Sequence, residues 1–140
     1  MIKSIVLGTA LVMSAPVFAA ELTLSIQGIN NSQGNVTVSL YDKESAFSKQ
    51  TAIGAVALTS QNTRQGNMKF VFPNLKAGSY AAFIHHDKNN DATFNIKGTK
   101  MLEGYGFTNN VGKTKTPSFN EAKLKVEGNT QQTIQMIYSN

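Results

Sequence analysis

Apolar and polar residues alternate with a period of two along most of this chain. Leu22, Leu24 and Ile26 alternate with Thr23, Ser25 and Gln27 before Gly28 closes the run, and Val36, Val38 and Leu40 repeat the pattern around Thr37 and Ser39. Such alternation turns one set of side chains to a core and the other to solvent, so each run predicts a strand. Between them, Asn30-Asn31-Ser32-Gln33-Gly34 is turn chemistry, and the two runs together predict a hairpin. A third strand is predicted over 53–59, where Val56 and Leu58 alternate. A fourth carries Met68, Phe70 and Phe72 and ends at Pro73-Asn74. The fifth runs from Tyr80 to His86 with both faces largely apolar, which predicts a central position. Leu124 and Val126 predict a sixth strand and 133–138 a seventh, while 102–107 is ambiguous.

No run of ten or more residues has helical periodicity. The segment 43–50 predicts a helical turn that tucks Phe47 onto a core edge. Ser118-Phe119-Asn120-Glu121 matches a capping box and predicts one further turn. Short strands separated by Gly, Asn and Pro predict an all-β fold, a single Greek-key β-sandwich of about seven strands. The longest irregular stretch, 87–120, is of a length that in a small domain goes with function or disorder.

The N-terminus lacks this alternation. Lys3, the apolar run from Ile5 to Met13, Pro16 and the small-residue site Val17-Phe18-Ala19 have the layout of a secretory signal, with cleavage expected between Ala19 and Ala20. The apolar run is too short to cross a bilayer with margin, so cleavage is expected and no membrane span. The organisation expected is therefore a signal peptide over 1–19 and one β-sandwich domain over 20–140, periplasmic or secreted. The chain has no cysteine, so packing, or a metal, must do what disulfides do in other exported domains.

Without Lys3, 12 basic residues face 8 acidic ones, a formal charge of +4. The surplus is thinly spread and forms no arginine-rich or aromatic-basic stripe, which argues against nucleic acid. A monomer is expected, with an unknown protein or small ligand as partner.

Candidate chemistry concentrates after the fifth strand. In His85-His86-Asp87-Lys88-Asn89-Asn90-Asp91-Ala92-Thr93-Phe94-Asn95, oxygen-bearing side chains fall at every second position: Asp87, Asn89, Asp91, Thr93 and Asn95. A loop curling around a hard cation needs such spacing, and calcium takes six to eight oxygens. The expected metal set is therefore Asp87, Asn89, Asp91, the Thr93 carbonyl and Asn95, with calcium as the cofactor. Ala92 stands where a calcium hand has glycine and Gly98 where it has a bidentate glutamate, although Glu103 can fold back to supply a carboxylate. Affinity is then expected on the order of 10⁻⁴ to 10⁻³ M. The alternative is a turn whose Asn and Asp side chains bond their own backbone.

His85 and His86 point to opposite faces of a strand and do not chelate one ion together. His85 is expected to pack with Phe83, and His86 to orient the loop. Glu103-Gly104-Tyr105-Gly106-Phe107 combines close backbone approach with aromatic area. It reads either as a cover over one edge of the core or as a ligand platform. Catalytic signals are sparse: there is no nucleophile elbow, phosphate loop or HExxH pair. The leading expectation is thus a non-enzymatic binding or accessory module. The alternatives are a hydrolase using His86, Asp87 and Glu103, and a structural or interaction domain that adds a strand to a partner.

The ordered set Phe72-Pro73-Asn74-Leu75-Lys76-Ala77-Gly78-Ser79-Tyr80-Ala81, His86-Asp87-Lys88-Asn89, Glu103-Gly104-Tyr105-Gly106-Phe107-Thr108-Asn109-Asn110 and Pro117-Ser118-Phe119 resembles an uncharacterised family of small secreted bacterial domains. The resemblance spans 22–138 and implies an exported single-domain β-sandwich with no established activity. The link from Leu75 to Tyr80 also resembles transthyretin-like and carboxypeptidase-regulatory-like domains. Transthyretin-like enzymes acting on a purine-breakdown product end in Tyr-Arg-Gly-Ser, whereas this chain ends Ile137-Tyr138-Ser139-Asn140. Relative to the family, Asn90 and Ala92 replace glycines and Asn95 replaces an acid.

Overall fold

The alternating runs become strands facing one shared core. A computed structural model of the chain describes residues 19–30, 33–59 and 66–139; most of the expected signal peptide, residues 1–18, lies outside them, as do two residues of the 30–34 turn. Strands β1 (Ala20–Gln27), β4 (Met68–Leu75) and β10 (Asn129–Gln135) form a three-stranded sheet with β1 in the middle. Strands β2 (Asn35–Tyr41), β3 (Gly54–Thr59), β5 (Gly78–Asp87) and β8 (Gly104–Phe107) form the opposing sheet in the order β3-β2-β5-β8. β9 (Leu124–Val126) pairs with the start of β5, beyond the stretch that β8 occupies. This is the expected all-β, sandwich-like architecture.

The core lies between the sheets. Leu22, Leu24 and Ile26 from β1 meet Val36, Val38 and Leu40 from β2 and Ala82 and Ile84 from β5. Phe70, Phe72, Val126 and Ile134 complete it. These side chains are almost fully removed from water, the main favourable term in such a fold.

The outer face of β5 is buried as well. There Ala81 packs with Tyr41, Ala46, Phe119 and Ala122, and Phe47 and Phe83 lie against them. Two short helices supply this cover: α1 (Glu44–Ser48) and α2 (Phe119–Ala122). α2 begins with the expected capping box. Ser118 Oγ accepts from the Glu121 amide, and the Glu121 carboxylate accepts from the Ser118 amide. β5 is thus central, as its two apolar faces require.

The expected hairpin of the first two strands does not form. β1 has β4 on one edge and β10, in parallel, on the other, while β2 lies in the other sheet between β3 and β5. Alternation specifies which face is buried, and β1 and β2 satisfy it by facing each other across the core. The chain thus passes from one sheet to the other between them. Pro73-Asn74 does not end β4 but falls in a register shift of this edge strand, where a missing N–H costs little. β10 begins earlier than expected because parallel pairing with β1 organises the polar run Asn129–Gln132.

The 87–120 stretch is more structured than expected. It holds the two-stranded pair β6 (Ile96–Lys97) and β7 (Lys100–Met101), then β8 and a 3-10 turn over Thr108–Asn110.

Candidate functional site

β5 delivers chemistry to both faces of its sheet at its C-terminal end. His86 continues the inward series of Tyr80, Ala82 and Ile84, whereas His85 and Asp87 continue the outward series of Ala81 and Phe83. All three, together with Glu103 just before β8, are buried.

On the outward face, His85 Nε2 lies 2.7 Å from Glu103 Oε2. The imidazole stacks on Phe83, with centroids 6.3 Å apart and planes at 13°, and is T-shaped to Phe94, with centroids 5.2 Å apart. Glu103 also accepts from the amides of Lys88 (3.1 Å) and Asn95 (3.2 Å), so one carboxylate gathers both ends of the loop. Asp87 accepts from the amides of Asp91 (3.2 Å) and Ala92 (2.8 Å) beneath the loop. Glu103 therefore folds back to the loop, as its carboxylate allows.

The five alternating oxygen residues occupy two levels of this loop. Asn89, Asp91 and Asn95 converge at the tip: Asn89 Nδ2 lies 3.0 Å from Asp91 Oδ2 and 3.2 Å from Asn95 Oδ1, and Asn95 Nδ2 lies 3.1 Å from Asp91 Oδ2. Thr93 joins through its amide, which donates to Asp91 Oδ1 at 2.8 Å. That bond first, then those from the two asparagines, holds the Asp91 carboxyl below the usual carboxylate range. Asp87 stands apart below the tip, beside His85 and Glu103. The bonding is that of a turn closed on its own backbone, with left-handed φ at Asn90 (57°) and at Ala92 (59°).

On the inward face, His86 Nε2 donates to the Gln33 carbonyl at 2.8 Å, which fixes the tautomer. Nδ1 therefore accepts from the Tyr138 hydroxyl at 2.8 Å. That hydroxyl in turn accepts from the Asn30 amide. Burial pushes the imidazole below its ordinary pKa and the Tyr138 phenol above its own, so the pair is neutral with the phenol as donor. Tyr138 reaches this position by passing directly over Gly104, where a Cβ would collide with its ring. The grouping His86, Asp87 and Glu103 is accordingly split: Asp87 and Glu103 share the outward face with His85, while both nitrogens of His86 are engaged toward the core. The contribution of His85 was readable in principle, because residues two apart on a strand share a face.

Next to His85 the outward face opens into a recess of about 160 Å³. Its walls are Tyr41, Phe47, Phe83, Phe94, Tyr105 and Phe107, and Gln50, Ile96, Met101, Gly112 and Thr116 complete the lining. Phe94 comes from the 87–95 loop and packs edge-on against Phe83 and Tyr105, at 5.6 and 5.7 Å. Tyr105 and Phe107 are thus both cover for the sheet and walls of an aromatic recess. Tyr105 and Phe107 were legible as cover or platform and Phe47 as packing on a core edge, whereas the convergence of Tyr41, Phe83 and Phe94 with them is a product of the fold.

The residues after Phe107 have a structural role. Thr108 Oγ1 accepts from the Ala82 amide and donates to the Ala122 carbonyl. Asn109 and Asn110, both at positive φ, bond to 121–123 and to β10. They clip β5, α2 and β10 together and hold the C-terminal end of β8 in place.

Among the described residues, no helix is long and apolar enough to cross a membrane. No curated protein and no solved structure matches the chain. The model of one family, described as an uncharacterized protein conserved in bacteria (DUF2141), matches residues 24–135, nearly all of the sandwich together with its loop. The chain therefore belongs to the DUF2141 family of uncharacterized bacterial proteins.

Proposed function

We propose that this chain is an exported, non-enzymatic binding module that takes a ring-sized apolar or aromatic group into the recess beside His85. One observation carries the reading: six aromatic side chains from five separate segments converge around about 160 Å³ of space instead of closing it. Apolar hollows with a few polar groups at the mouth are the usual form of a small-ligand site. This one has Gln50 and Thr116 in its lining. Its volume suits a single ring or the end of a larger ligand. Export rests on the signal-like residues 1–19, and β1 starts at Ala20, the residue cleavage would expose.

Titrating the purified chain with phenol and with indole tests the proposal. Resonances of Phe83, Phe94 and Phe107 should shift in concert with a Kd on the order of 10⁻⁴ to 10⁻³ M, the range that ligand efficiency sets for so few atoms. Met101→Trp, which fills the recess, should abolish the shifts. Shifts that persist in this variant would place the ring elsewhere and sink the reading.

The convergence of Asn89, Asp91 and Asn95 supports a second element of the same reading, weak calcium binding at the loop tip. A half-turn of either amide presents oxygen where nitrogen now faces Asp91. A ligand specific to the folded state raises its stability. Five millimolar calcium should therefore raise the melting temperature, and Asp91→Asn should cancel the rise. An unchanged melting temperature in the parent chain would remove calcium from the account.

A further inference from the structure

We infer that His85 Nε2, Asp87 and Glu103 form a second cation site, separate from the loop tip and suited to a divalent transition metal such as zinc or manganese. One ligand atom from each residue lies within 4.8 Å of the other two, so a small inward adjustment suffices for a shared ion. Metal–ligand bonds of about 2.0–2.2 Å draw such atoms together around the ion. The site is built from three places: two alternate positions at the end of β5 and the residue preceding β8.

Charge supplies an independent argument. Asp87 is 6 % exposed and Glu103 4 % exposed. Among the described residues Asp87 has no ion-pair partner, and Glu103 has only His85. The neighbouring lysine, Lys88, turns its ammonium away, 5.1 Å above the Tyr138 ring. Two buried carboxylates thus lie beside a single imidazole, which pairs with Glu103 alone. Buried charges in proteins are paired or bind metal. A divalent ion in place of the His85–Glu103 proton would balance both carboxylates.

The surroundings fit that role. Phe83 and Phe94 hold the imidazole in position, one ring stacked on it and the other at right angles to it. Amides of Lys88, Asp91, Ala92 and Asn95 hold the carboxylates, the kind of outer support that orients metal ligands. A depression lined by Lys88, Asn89, Asn95, Ile96 and Leu102 opens at Glu103 and gives an ion a route from solvent. One imidazole nitrogen with two carboxylates favours zinc, manganese or ferrous iron over calcium, which requires more oxygens.

Calorimetry and cobalt absorption spectroscopy on the chelator-treated chain test the inference. Zinc should bind one per chain with micromolar affinity, and cobalt should give visible bands of nitrogen and oxygen ligation. His85→Ala and Glu103→Gln should each weaken zinc binding more than about 100-fold, beyond the 10–100-fold span seen for outer-shell changes. Glu127→Gln, at an exposed carboxylate just after β9, should leave it unchanged. Circular dichroism identifies any variant that fails to fold, and the cobalt spectrum of the parent chain then decides alone. Absence of zinc and cobalt binding below millimolar concentration, or zinc binding that folded His85→Ala and Glu103→Gln retain in full, would overturn the inference.

Discussion

His86 shows how one side chain can be structural while its neighbour faces a site. Its imidazole is fully buried, donates to Gln33 and accepts from Tyr138, so protonation would remove the acceptor that Tyr138 needs. Burial is the main cause that lowers its pKa from the ordinary 6.5. The unfolded chain therefore binds this proton more readily than the folded one. The stability involved is complete above about pH 6.5 and is lost as pH falls through the lower folded value. Thermal melts across this interval should show stability rising with pH. His86→Phe should flatten the rise and cost about 2–3 kcal/mol for the broken hydrogen bonds. An unaltered pH dependence in that variant would show that His86 is not the titrating group.

At the scale of elements, alternation located every strand except the short β6 and β7 and the ambiguous β8, because a sheet with a buried face leaves that imprint on its sequence. Pairing left no such imprint. The turn residues after Gly28 suit a hairpin as well as a corner between sheets, and only the two neighbours of β1 decide between them. The 87–95 loop was legible through its spaced oxygens, and its tip indeed draws Asn89, Asp91 and Asn95 together. Glu103 was legible as a carboxylate able to fold back to the loop, whereas the His85 ring was expected only to pack with Phe83, and its approach to Glu103 is a product of the fold. The loop also carries strain, since Ala92 adopts the left-handed region at φ 59°. Ala92→Gly should relieve it and stabilise the chain by about 0.5–1 kcal/mol, the steric cost less the added unfolded-state entropy. Equilibrium urea unfolding measures this. A loss of stability would mean that the left-handed turn is not under strain.

Across the whole molecule, the two faces of one sheet divide the work. The inner face of β5 builds the core, and the outer face, with α1, α2 and the loop against it, builds the aromatic recess and the cluster of His85, Asp87 and Glu103. The carboxylate of Glu103 links these parts, because it secures the loop that supplies Phe94. Recess and loop therefore stand or fall together in the proposed binding function. A crystal structure of the chain grown with phenol tests that function most directly. Ring-shaped density is expected between Phe83, Phe94 and Phe107. A recess closed by its own aromatics, with phenol bound elsewhere or not at all, would contradict it.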